Sequence, residues 1–420
     1  MEIIEVADRK TRHLFLKLPK FLYKNDPYWV CPPDNEIDGV FDPRQNRFFK
    51  QGEAIRWILL SESNKPIGRI AAFFYQDYAA SHKQPTGGVG FFECINDQGA
   101  ANLLFDTAKN WLESKGMEAM DGPINFGEND NHWGLLVNGF INPGYGMPYN
   151  FPCYKELFNN YGFQTFYEQY SYHIDITVPF PERFWKIAEW VMGKPGFRFE
   201  HFKFNEVDRF INDLVTIYNS AWSDMKENFT PLEAEVVRKS FLKARPVIDE
   251  EFVWFVYHND EPVALYIILP DINMILKHLN GKMHILNRLR FLYYKKTNSI
   301  KRVRAVMAGV VPKYQGAGLE SGIFKSLEPV FRKKPWITEI ELSWVGDYNP
   351  KMRAVYEAVG GKLSKKHHTL RYLFDRDAPF ERYMPDILED KEKFKAYKFQ
   401  TEVHPDSGAI RKPYNYLKNF

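Results

Sequence analysis

The sequence predicts an α+β protein made of two similar units in tandem, each a mixed, mostly antiparallel twisted sheet flanked by helices. Three observations predict it. The order strand, strand, strand, helix, strand, helix, strand reads twice along the chain. A hairpin signal opens each copy, and in the second copy an apolar strand runs into a glycine-bearing loop and then a helix. The 420 residues, 45% hydrophobic and 26% charged, are enough for two hydrophobic cores. The expected boundaries are a first unit over 1–178, a second over 179–376 and an extension over 377–420.

In the first unit, Ile55 to Leu60 and Ile67 to Phe74 flank the turn-forming Ser63-Asn64-Lys65-Pro66, a hairpin pattern. A third strand follows from Gly88 to Ile95. Ala101, Leu104, Phe105, Ala108, Trp111 and Leu112 then recur on one helix face, which Gly116 stops. The stretch Gly122-Pro123-Ile124-Asn125-Phe126-Gly127-Glu128-Asn129-Asp130 reads as a loop. An aromatic, helix-like stretch ends at Tyr161-Gly162-Phe163, before a strand from Tyr167 to Ile176.

The second unit enters on a helix whose face is Val207, Phe210, Ile211, Leu214, Ile217 and Tyr218. Thr230-Pro231-Leu232-Glu233 reads as a capping box with Pro at the first helical position. Phe252 to Tyr257 and Val263 to Leu269 form a second hairpin around Asn259-Asp260-Glu261-Pro262. The strand from Val303 to Val311 enters the loop, and Ile323, Phe324, Leu327, Val330 and Phe331 carry the helix behind it, where Pro329 predicts a kink. Ile337 to Trp344 is expected as the next strand. Asn349-Pro350 starts a helix that Gly360-Gly361 ends, and Thr369 to Phe374 closes the unit. The tail, with Tyr397, Phe399, Tyr414 and Tyr416, is expected to pack over the surface without regular structure.

Composition excludes some functions. With 56 basic against 53 acidic residues the net charge is +3, so the chain as a whole is no polyelectrolyte partner for nucleic acid. The first residues lack a signal-peptide pattern and no apolar run reaches transmembrane length, so no integral membrane segment and a cytoplasmic location are expected. Cys31, Cys94 and Cys153 stand far apart with no metal-ligand spacing, so they are expected as reduced thiols, with no metal.

The chemistry-bearing segment is Val310-Val311-Pro312-Lys313-Tyr314-Gln315-Gly316-Ala317-Gly318-Leu319. Small residues at a strand-to-helix junction let backbone N–H groups close around a phosphate at a helix N-terminus. Gln315-x-x-Gly318, with Asn349-x6-Tyr356-Glu357-x-x-Gly360 downstream, resembles the two signatures of the GNAT superfamily of acyl-CoA N-acyltransferases. Glu320 departs from the first signature, which has Gly or Ala there. As a first-turn carboxylate it is expected to face solvent. More narrowly, the whole chain resembles bacterial proteins with two GNAT units, through Gly122-Pro123-Ile124-Asn125 and Trp344-x-x-Asp347-x-Asn349-Pro350.

The resemblance implies acetyl-CoA as co-substrate, held by Val310, Val311, Gln315, Gly316, Ala317, Gly318, Leu319 and Asn349, and direct transfer to a small-molecule or peptide amine. Tyr356 would be the general acid, and N–H groups of Val310 or Val311 the oxyanion donors. Asp271 and Glu341 are the candidate bases; as ordinary residues they would be a turn carboxylate and a solvated strand face. In the first unit Gln98-Gly99-Ala100-Ala101 and Phe158 stand where Gln315 to Gly318 and Tyr356 stand in the second. That half is therefore expected to shape the site rather than perform chemistry. Asp130, His132 and Trp133 are either cleft-lining or ordinary loop residues. The insertion from Asp271 to Lys301 reads as a lid, an anion contact, a membrane-surface helix or a basic helix packed on its own unit. Two alternatives stand beside the transferase: an aminoacyl-tRNA-dependent peptidyltransferase and a non-catalytic acyl-CoA sensor or scaffold.

Overall fold

The computed structural model describes residues 1–223, 231–383 and 400–403. The first half runs β1 (Glu2–Glu5), α1 (Arg9–Leu22), α2 (Asp34–Val40), β2 (Gly52–Leu60), β3 (Pro66–Tyr75), α3 (Gln76–Ala80), β4 (Thr86–Cys94), α4 (Gln98–Ser114), β5 (Ala119–Gly122), β6 (Leu135–Asn138), α5 (Tyr154–Tyr161) and β7 (Gln164–Asp175). After α6 (Glu182–Met192) come β8 (Phe197–His201), α7 (Val207–Trp222), α8 (Ala234–Ala244), β9 (Val253–His258) and β10 (Glu261–Pro270). The chain then continues through α9 (Asn273–Leu276), α10 (Ile285–Lys296), β11 (Arg302–Val310), α11 (Leu319–Lys333), β12 (Glu339–Glu341), β13 (Val345–Gly346), α12 (Pro350–Ala358) and β14 (Lys362–Leu373).

Both hairpins form where the turn residues place them. Asn64, Asn259 and Asp260 adopt positive φ there, as short polar side chains permit. The α12 start is also as read, since the Asn349 side chain accepts from Met352 N–H at 3.1 Å.

All strands join one sheet in the order β1-β2-β3-β4-β5-β14-β7-β12-β11-β10-β9-β8, with β6 and β13 appended to β14 and β7. The two halves have exchanged their last strands. β14, from the second half, pairs antiparallel with β5 of the first, while β7, from the first half, pairs antiparallel with β12 of the second. The two exchanged strands pair with each other at the centre. A bidentate ion pair fixes one seam: Arg371 on β14 donates to Asp121 on β5 at 2.7 and 2.8 Å, and Tyr78 Oη donates to the same carboxylate at 2.6 Å. Apolar side chains of β2 to β4, α4 and α5 form one core, and those of β9 to β12, α6, α11 and α12 another.

Three local expectations are corrected. The stretch Ile337 to Trp344 is not one strand, because the chain bends after β12, where Leu342 N–H bonds Tyr172 O at 2.8 Å. α8 begins at Ala234 with Glu233 as N-cap and no side-chain cap bond, three residues past the expected start; Thr230 lies outside the described residues. β5 ends at Gly122, so the first residue of the segment read as a loop closes a strand. The tail aromatics Tyr397, Phe399, Tyr414 and Tyr416 also lie outside the described residues.

Candidate active site

The loop of the second half has the expected backbone. Gly316 and Gly318 take φ of +76° and +79°, and Gly318 is the N-cap of α11. Its surroundings differ from the expectation. α6 lies along α11, and a Cβ on Gly318 would stand 2.5 Å from Ile187 Cγ2. Glu320 does not face solvent: it lines a groove with Phe184, Phe324, Met352 and Tyr356. Burial raises its pKa. Glu320 thus places a carboxyl in the first turn of α11, and the groove it lines is only about 10 Å³. Val311 N–H is engaged, donating to Val263 O at 2.9 Å.

The expected catalytic residues of this half are held by structural partners. Tyr356 is buried, its hydroxyl paired with Ser343 Oγ at 3.1 Å, and burial pushes the phenol up to about 12. A thiol titrates near 8.5, so this phenol is the weaker acid of the two. Asp271 is bound by Arg302 at 2.6 Å and accepts from Tyr145 N–H at 3.0 Å and Asn273 N–H at 3.1 Å. Glu341 is no solvated strand residue. Burial raises its pKa, but Lys365, Arg302 and Arg304 outweigh burial and hold the carboxyl at about 2, too acidic to take a proton at neutral pH. Arg302 also donates to Asn142 O and Pro143 O at 3.2 and 3.0 Å, so this cluster clamps the loop before Tyr145 onto the second half.

The large cavity lies elsewhere. About 900 Å³ open between the halves, walled by α1, residues 29–40, the far end of β4, the loop from Asn131 to Asn150, and α8 and the β10 end of the second half. Sequence explains the opening. β4 and β5 pair in parallel only from Thr86 to Gly88 opposite Ala119 to Asp121. Phe91, at φ +51°, then bulges β4 and shifts its register against β3, so that Glu93 stands opposite Arg69.

Those two charges are the polar centre of the cavity. Glu93 Oε2 accepts from Tyr23 Oη at 2.8 Å and Tyr154 Oη at 2.9 Å, and Oε1 lies 3.6 Å from Arg69 Nη2. Arg69 donates to Phe15 O at 2.7 Å, while its buried Nε has no partner among the described residues. Burial raises the Glu93 carboxyl to about 7 against the opposing pull of Arg69 and the two hydroxyls. His132 also lines the cavity, and burial together with Arg69 lowers it to about 4, leaving a neutral imidazole. Of its two companions, Trp133 is buried core bonded to Tyr167, and Asp130 is not on the cavity wall. Glu93 and Arg69 escaped the sequence reading. Their signal was a lone charge within each of two apolar strands, which a buried sheet accommodates only when the charges pair across it.

The fold has known counterparts. A tandem GNAT protein from the clavulanic acid pathway superposes with TM-score 0.51 over 90% of this chain and 99% of its own, at 12% identity. A GCN5-related N-acetyltransferase from Sphaerobacter thermophilus gives 0.50 over 91% and 98%, at 11% identity. The chain has the tandem GNAT fold. No family model matches the sequence. Along the sequence, this GNAT-fold chain is 28% identical over 378 residues to the bacterial ceramide synthase of Caulobacter vibrioides, covering 87% of this chain and 96% of that one. It is 23% identical over 363 residues to protein YghO of Escherichia coli, covering 84% and 90%.

Proposed function

We propose that the protein is an acyl-CoA-dependent N-acyltransferase working in the cavity between its halves, with an amine on a long alkyl chain as acceptor. The observation that carries this reading is Glu93, a buried carboxyl held near pH 7 at a break in the GNAT sheet. The likeness to a ceramide synthase supports the acceptor class, because a ceramide is the amide of a fatty acid and a long-chain amino alcohol. Cavity size and the apolar walls at Leu16, Val30, Ile37 and Phe92 support it too.

In this reading the thioester carbonyl lies beside Glu93 and the amine enters as an ammonium ion. Glu93 takes its proton, and the apolar walls favour the neutral amine. Nitrogen bonds to the carbonyl carbon, the C–S bond breaks, and the proton on Glu93 passes to the departing thiolate; Glu93, ionised again, then takes the second proton from the nitrogen as the amide forms and releases it to solvent. Tyr23 and Tyr154 aim the carboxylate, and Arg69 keeps part of its population ionised. The second half frames the cavity through Asp271 and Arg304.

The test is thiol release from acetyl-CoA and from long-chain acyl-CoA, with sphinganine or a short alkyl amine as acceptor. Release that needs the long-chain amine, with the amide found by mass spectrometry, is expected. No release under any pairing would sink the reading, and acyl-CoA binding without release would leave the sensor.

A further inference from the structure

We infer that α10 is a docking surface for an anionic lipid bilayer. The inference rests on this helix and stands independently of the reaction assigned to the cavity. At roughly 100° per residue, Asn287, Phe291 and Tyr294 share one side of α10. They are its anchors: Asn287 is buried, with bonds to Leu279 O and Lys282 O, and Phe291 and Tyr294 pack on Ile275, Leu276 and Leu279. The opposite side points straight out, and it is apolar. Ile285, Leu289 and Leu292 are 76%, 58% and 58% exposed, flanked by Leu286 at 65% and Tyr293 at 64%. A water-facing helix normally carries its apolar stripe inward and its charges outward. Here the outermost positions are aliphatic until Lys296 ends the helix.

The charge around that stripe selects the partner. From 272 to 301 the sequence has seven basic residues, Lys277, Lys282, Arg288, Arg290, Lys295, Lys296 and Lys301, and no Asp or Glu. Among the described residues none of the seven forms an ion pair. Long basic side chains flanking an exposed aliphatic and tyrosine stripe match the interface of a bilayer with anionic headgroups, where the stripe enters the acyl boundary and the cations stay with phosphate. No helix among the described residues is long and apolar enough to cross a membrane, so α10 would lie on the surface. The surface adjoins the cavity. Asp271 to Asn273, which lead into α9 and α10, line it, and a Cβ on Gly281 would stand 2.7 Å from Cys31 Sγ on its wall.

The experiment is co-sedimentation of the full chain with phosphatidylcholine vesicles, with and without phosphatidylglycerol. Binding is expected to the anionic vesicles only, weakening with added salt. L289S/L292S removes two exposed side chains with no core contact, and R290E/K296E reverses two charges. Each should weaken binding about tenfold or more while leaving the melting temperature unchanged. Absence of vesicle binding, equal binding to neutral vesicles, or indifference to both variants would overturn the proposal. So would a self-association, or capture of an acidic carrier protein, that L289S/L292S abolishes while vesicle binding stays wild-type.

Discussion

The two halves share a fold and differ in what fills the break between their parallel strands. In the first half the break opens on about 900 Å³, in the second on about 10 Å³. The same number of steps past the last parallel pair, β4 carries Glu93 while β11 carries Gly309, against which Trp222 packs. α6, which joins the halves, then seats Phe184 and Ile187 over the groove and loop of the second. The lesson is that a binding signature marks a backbone conformation rather than a vacancy. Gly316 and Gly318 take their turns as the signature requires, while Ile187 stands against Gly318 and Glu320 lines the groove beside Tyr356.

The comparison breaks most sharply at Glu93. Glu93→Gln keeps the shape and the tyrosine contacts but cannot accept a proton, so thiol release should fall by roughly two to four orders of magnitude. The wild-type rate should rise as pH passes upward through about 7, where the base form appears, and the variant should lose that rise. Stability runs the other way. The folded pKa lies above the unfolded one, so the carboxyl's contribution is full below pH 4.5 and is lost as pH rises to about 7, a loss Glu93→Gln should lack in thermal melts.

Next in size is Glu341→Gln, which leaves Lys365 and Arg302 facing a neutral amide. Denaturant unfolding should show a loss of about 3–5 kcal/mol, with turnover per folded molecule retained. Gly318→Val is smaller. The strained φ and the contact with Ile187 should cost about 1–3 kcal/mol in the same assay, whereas a loop that binds pyrophosphate would lose CoA affinity in calorimetry instead. Tyr356→Phe should be smallest, about 1 kcal/mol from the bond to Ser343, with turnover within twofold of wild type. A large fall in turnover there would return the chemistry to the second half.

What the sequence made legible was local. Ser63 to Pro66, Asn259 to Pro262 and Asn349-Pro350 encode turns and a cap within a few residues, so those elements stand where they were read. Long-range pairing was not legible. Leu370 opposite Gly122, and Glu341 opposite His173, are decided by which strand finds which edge, and neither segment states its partner. Phe184 likewise shows that α6 has an apolar face, but not that the groove beside Tyr356 receives it. Glu341 reads as solvated because alternation along a strand cannot reveal that the facing element, the loop at Gly144, covers it.

The strand exchange also dictates how the chain comes to be folded. Arg371 and Asp121 are 250 positions apart, yet their pair seals the edge of the first half's sheet. On a ribosome the first half emerges with β5 exposed at that edge, and it stays so until nearly the whole second half has been made. Contacts of such sequence separation are slow to form, and an unpaired strand edge invites aggregation meanwhile. Neither half is a module that gene fusion or truncation could carry away intact: a cut after β7 strips β12 of its neighbour as surely as it strips β5.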